Sequence, residues 1–137
     1  MRGKHSIHNQ QGFTLIEIIA VLILLGILAE VAVPKYIDLT VEANKKAAQG
    51  QIGEMKGRLS SALANYMLKN NGAKPANGAD LVAAANTYKT NSCPTEVKDE
   101  GDFDVLCKGN EDKTVTITVS KVQDANVSES GTYSFAD

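Results

Sequence analysis

A run of 21 residues, positions 13–33, is apolar except at Thr14, Glu17 and Glu30, and no other stretch constrains the chain as tightly. As a helix rising ~1.5 Å per residue it would be roughly 32 Å long, enough to cross a hydrocarbon core of about 30 Å. Residues 18–29 form twelve unbroken apolar positions, with Gly26 the one departure from large or helix-favouring side chains. Arg2 and Lys4 precede the run and favour a cytoplasmic N-terminus by the positive-inside rule. An ordinary secretory signal is cut after its apolar region, at small residues. Here the candidate cut follows Gly12, ahead of the apolar region, so processing leaves the hydrophobic segment on the mature chain. Leader and run alone would also suit a plain signal-anchor.

Glu17 sharpens the reading. An ionisable group inside a membrane segment costs on the order of 2.5–3.5 kcal/mol on insertion scales, so it needs a partner and usually has a role. A cut after Gly12 creates an α-amino group on Phe13, cationic near neutral pH. One helix does not readily fold its own terminus onto its fifth side chain, whereas a neighbouring, axially shifted helix can present its terminus there. Such a pair neutralises two charges and fixes the stagger between subunits; the alternative is that Glu17 is solvated at the cytoplasmic interface. Glu30, near the other end of the run, either snorkels to the interface or pairs with Lys35 or a neighbour's base.

The string GFTLIEIIAVLILLGILAEVAVPKY, from Gly12 to Tyr36, resembles the class III signal and N-terminal helix of type IV pilins and pseudopilins. The resemblance implies that a prepilin peptidase cleaves after Gly12 and N-methylates Phe13. It implies that Glu17 is the assembly glutamate, and that Gly26 and Pro34 are helix-weakening positions. Proline within a helix removes one backbone hydrogen bond and kinks it. Glu30 departs from the family pattern, and the likeness fades beyond Tyr36.

Composition excludes several classes. Removing Arg2 and Lys4 from the 14 bases leaves 12 against 16 acids, a net charge of −4, which gives no electrostatic case for nucleic-acid binding. With no Trp and 5% aromatics, platforms for stacking single strands are missing too. Both histidines, His5 and His8, fall in the leader, and no phosphate loop, metal quartet or nucleophile context follows. Neither an enzyme nor a cofactor is expected.

After Pro34 the chain reads as helix to about Asn70. Ile37, Val41, Ala48, Ile52, Met55, Leu59, Ala62, Leu63, Tyr66 and Met67 form an amphipathic stripe, and Arg58 and most other charges fall off it. Joined to the membrane segment, this makes one helix of about 58 residues, roughly 85–90 Å. Asn70-Asn71-Gly72 is a stop signal, and Asp80 is the expected cap of a short helix to Asn86. Strands are expected at 102–108, at 114–119 with Val115, Ile117 and Val119 on one face, and at 132–136 with Tyr133 and Phe135 inward. Gly109 to Asp112 is the turn between the first two. The expected fold class is α+β: a long N-terminal helix, half membrane and half amphipathic, packed on a small antiparallel sheet, pilin-like.

Cys93 and Cys107 fit neither a CxxC redox pair nor a four-ligand zinc site. In an exported head a disulfide is the economical reading, with two free thiols as the alternative. Asp99, Glu100, Asp102 and Asp104 cluster between them. Their oxygens suit Ca²⁺, although the spacing fits no EF-hand and acidic runs are commonly just solvated. Asn126-Val127-Ser128 matches the N-x-S pattern and carries little weight.

These readings divide the chain into a cleaved leader (1–12), a transmembrane and assembly helix (13–33) and a periplasmic or extracellular head (34–137). The expected role is the structural subunit of a type IV pilus, inserted in the inner membrane and then polymerised into an extracellular filament serving adhesion, motility or DNA uptake. Its partners would be other copies of itself, the prepilin peptidase, the assembly platform and, before assembly, the membrane. A periplasmic pseudopilin of type II secretion, or a minor pilin that initiates the filament or binds a ligand, remains the alternative.

Overall fold

The computed structural model describes residues 12–87 and 92–136. The leader residues ahead of Gly12 therefore lie outside the described residues. Contacts divide the chain into two units, one ending at Leu39 and one beginning at Thr40.

The first unit is helical from Leu15 on. It belongs to α1, Leu15–Lys69, a 55-residue helix with Pro34 inside it. Leu25, at 54% exposure, and Leu28, at 66%, typify its large apolar side chains, which lie open on every side. Gly26 is equally open: a Cβ there would meet nothing within 4 Å.

The second unit is the head. Here α1 buries Ala48, Gln51, Ile52, Met55, Leu59 and Ala62, at the three- and four-residue spacing that makes one helical face. The expected stripe is thus shortened at its start, because Ile37 and Val41 are exposed and burial begins at Ala48. The helix stops where Asn71 (φ 53°) and Gly72 (φ 86°) turn left-handed, and Gly72 N–H donates to the Met67 carbonyl at 2.8 Å. That six-to-one bond is the Schellman closure, with Asn71 in the left-handed position that asparagine tolerates and Gly72 following it without a Cβ penalty.

Next comes α2, Gly78–Thr87, burying Leu81, Val82 and Ala85. Its cap is Asn77 rather than Asp80: the Asn77 Oδ1 accepts from the Asp80 backbone N–H at 2.9 Å. Asp80 lies inside the first turn, where a negative side chain still favours the helix dipole. Gly78 lets this end of α2 approach the sheet, because a Cβ there would fall 1.8 Å from the Thr114 carbonyl oxygen.

Four strands follow, β1 (Lys98–Asp99), β2 (Phe103–Gly109), β3 (Thr114–Val122) and β4 (Ala125–Ser134). They form an antiparallel meander in the order β1-β2-β3-β4. Register sets Val105 opposite Val119 and Cys107 opposite Ile117. These four residues and Val115 are buried on one face, where they join Met55, Leu59 and Leu81 in the core. β4 is seven residues longer at its start than expected, and β1 was not expected at all. Both are edge strands, β1 exposed and β4 at most part-buried, so neither needs a strongly apolar sequence. Phe135 is buried as expected, whereas Tyr133 is only half-buried and stacks on it with ring centroids 6.4 Å apart. Gly131 on β4 lets the sheet close on α1, since a Cβ there would fall 2.6 Å from the Ile52 Cγ2.

Candidate assembly segment and head loop

Glu17 is not isolated on its own helix. Its Oε2 accepts from the Thr14 backbone N–H at 2.9 Å and from the Thr14 hydroxyl at 2.9 Å. In return the Thr14 Oγ1 accepts from the Glu17 N–H at 3.3 Å. This is a capping box, with Thr14 just before the helix and Glu17 at its third position, so each satisfies donors that the first turn leaves free. The Thr-x-x-Glu spacing at positions 14–17 is itself a capping-box signature, and it lies within the same string that points to assembly. Physically the two roles are compatible, because the box holds the carboxylate at the N-terminal end of α1.

The cysteines form the disulfide Cys93–Cys107, with Cα atoms 5.7 Å apart. Cys93 is fully buried and Cys107 is 1% exposed, so the bridge joins the segment after α2 to the middle of β2 within the core. Cys107 N–H donates to the Pro94 carbonyl at 2.6 Å, and Cys93 N–H to the Asn86 Oδ1 at 2.9 Å.

Arg58 gives this loop a second tie that the helical stripe did not suggest. Its Nη2 lies 2.6 Å from the Glu54 Oε1, and its Nη1 lies 3.3 Å from the Glu100 Oε2. The same Nη1 donates to the Ser92 carbonyl at 3.2 Å. Partial burial works against the guanidinium charge. The hydrogen bonds and charges of Glu54 and Glu100 more than offset it, so the Arg58 pKa is raised.

Glu100 is therefore turned to cations of the chain itself, Arg58 on one oxygen and Lys98 on the other at 3.3 Å. Asp99 and Asp104 face each other across β1 and β2, and with Asp102, Lys121 and Asp124 they line a polar hollow of about 460 Å³. Among the described residues, no three His, Cys, Asp or Glu side chains converge as a metal-ligand set. The acids that adjoin in sequence are thus spread between an ion-pair network and an open hollow.

Residues 7–29 match the family model described as the prokaryotic N-terminal methylation motif. The type IV narrow pilus major component PilA5 of Thermus thermophilus is 29% identical over 118 residues, covering 80% of this chain and 97% of that protein. A fimbrial protein of Pseudomonas aeruginosa is 39% identical over 54 residues, 39% of this chain and 35% of that protein. The type II secretion system core protein G of Pectobacterium carotovorum is 39% identical over 64 residues, 47% of this chain and 38% of that protein. The chain thus spans nearly all of the Thermus relative but only about a third of the other two. No solved structure matches it. The motif, the relatives and the fold are consistent with the type IV pilin family, in the broad sense that includes pseudopilins. The pilus and fimbrial relatives are structural subunits, not enzymes.

Proposed function

We propose that this chain is the repeating subunit of a type IV pilus. Arg2 and Lys4 hold the leader in the cytoplasm while residues 13–33 enter the inner membrane. A prepilin peptidase cuts after Gly12 and methylates the new terminus at Phe13. An assembly platform then lifts the trimmed subunit out of the bilayer. Helices pack together as a core, with the heads outside, and the Phe13 amine of each incoming copy meets Glu17 of a neighbour. The observation that carries this reading is the acid itself. Glu17 is the one charge in the first half of the exposed apolar run 13–33, and its own Thr14 holds it at the helix start. Gly26 and Pro34 provide two points of lower helix stability between that end and the head.

The test is Glu17→Ala. Without an acid to meet the incoming amine, the chain should still insert and be trimmed, but filament yield should fall about tenfold or more, given the cost of an unpaired charge in an apolar core. Normal yield would sink the pairing.

A second reading, a pseudopilin of type II secretion, is favoured by the likeness to core protein G. The likeness to the Thermus major component runs over far more of the relative and favours the pilus. Long external fibres distinguish the two.

A further inference from the structure

Asn126-Val127-Ser128 has no part in assembly, and Asn126 is the one asparagine of the chain with a serine or threonine two residues on. A match of three residues recurs by chance, so its place in the fold is what matters. Asn126 is the second residue of β4, an edge strand, and follows the turn at Gln123 and Asp124. Val127 packs against the core, whereas Asn126 and Ser128 are both exposed. Residues two apart on a strand share a face at about 7 Å. The amide and the hydroxyl are therefore presented together, while the residue between them anchors the segment.

Two further features leave this amide available. Asn70, Asn77, Asn86 and Asn110 each commit the side-chain amide to the fold: the Tyr66 carbonyl, the α2 cap, the Cys93 N–H and two β3 threonines. Asn126 makes no side-chain hydrogen bond among the described residues. β4 also bulges here. Between the pairs Val119–Glu129 and Lys121–Asn126, Ser120 of β3 faces two residues of β4, Val127 and Ser128. The ladder is broken at that point, and no strand among the described residues lies on the outer side of β4. Such a segment opens into an enzyme's cleft more readily than a central strand does. A hollow of about 320 Å³ between residues 125–129 and Val41, Asn44 and Lys45 of α1 leaves room for a sugar.

We propose that Asn126 is an N-glycosylation acceptor, modified by a membrane oligosaccharyltransferase once the head is exported. The donor is an oligosaccharide carried on a lipid pyrophosphate. The Asn126 amide nitrogen bonds to the anomeric carbon as the carbon–oxygen bond to pyrophosphate breaks. Lipid pyrophosphate leaves with that electron pair, and the amide proton passes to a base of the enzyme; nothing is oxidised or reduced. An amide nitrogen is a weak nucleophile because its lone pair is shared with the carbonyl, so the acceptor must be held firmly. Ser128 supplies a hydroxyl for that purpose. Asp124, exposed two residues ahead, supplies a carboxylate for a basic side chain of the enzyme. The proposal rests on one part of the proposed function, the export of the head. The Cys93–Cys107 disulfide fits that export, since such bonds persist in oxidising compartments.

The test co-produces the full chain with a periplasmic oligosaccharyltransferase, its lipid-linked donor and a second exported protein that this enzyme modifies. Trypsin cuts after Lys121 and no later, so mass spectrometry reads the site on peptide 122–137. The peptide should gain one oligosaccharide. Asn126→Gln and Ser128→Ala should each abolish the gain with the disulfide intact. Ser128→Thr should keep it, and Asp124→Ala should cut it severalfold. A chain with its disulfide formed but no oligosaccharide, while the second protein is modified, would overturn the proposal. So would a gain that survives Asn126→Gln, because the sugar would then sit on a hydroxyl. Reduced cysteines with no gain would mean that the head stays in the cytoplasm, which overturns export and the acceptor site together.

Discussion

One helix carries two opposite surfaces. Up to Leu39 its leucines, isoleucines and valines are exposed on all sides, Leu15 at 78% and Val31 at 73%. From Ala48 to Ala62 its apolar side chains fall on a single face and are sealed, with Met55 and Leu59 at 0%. The difference lies in patterning. The run 13–33 is apolar all round apart from Thr14, Glu17 and Glu30, and such a helix must be covered by something on every side. The second half separates a buried face from one that carries Glu54, Lys56 and Lys69, and a sheet of the same chain covers the buried face. Apolar content alone therefore does not place a residue in this molecule's core; periodicity does.

The comparison is broken most sharply by one pair of substitutions. Leu59→Ala should leave a cavity in the head and destabilise it by about 3–4 kcal/mol, lowering Tm by more than about 10 °C in thermal unfolding of the detergent-solubilised chain. Leu25→Ala should leave that transition where it is and register only in filament yield. Equal Tm losses would mean that the two halves share a core.

The disulfide should count next. Replacing Cys93 and Cys107 together by serine removes a cross-link closing a loop of about 15 residues, worth about 3 kcal/mol in the chain-entropy model. Guanidinium unfolding of the two forms measures the loss. It should appear in the head transition while the helical signal of the apolar half persists.

Arg58 sharpens the comparison within the head. Arg58→Ala removes ion pairs to Glu54 and Glu100 and the hydrogen bond to Ser92. The partly exposed site limits the cost to about 1 kcal/mol. Hydrogen exchange should report faster opening of the Ser92 to Glu100 segment, with Leu59 and its neighbours still protected. Unchanged exchange in that segment would remove Arg58 as its tie.

Much of this was legible in the sequence because it rests on period and length. The extended helix, its Asn71-Gly72 end, the alternation of Val115, Ile117 and Val119, and the Cys93–Cys107 pair each follow a local rule. What escaped was non-local or weakly patterned. β4 begins at Ala125 after a two-residue turn whose Gln123 takes φ 52° without the usual Asn-Gly signal. Arg58 reads as a solvated base until the chain brings Glu100 to it from 42 residues away. Asn77 took the cap from Asp80, three positions off, because both residue types suit a first turn. At the candidate site, Glu17 stood out as a charge in an apolar run, but its bond to Thr14 needed the capping-box spacing to be weighed beside the membrane argument.

The most direct test of the account is mass spectrometry on fibres sheared from cells, imaged in the same fraction by electron microscopy. The account predicts external filaments built of a chain that begins at N-methylated Phe13 and keeps residues 13–33. Filaments built of a chain that begins beyond Val33 would contradict it, because the apolar half would then be a discarded anchor rather than the surface on which subunits assemble.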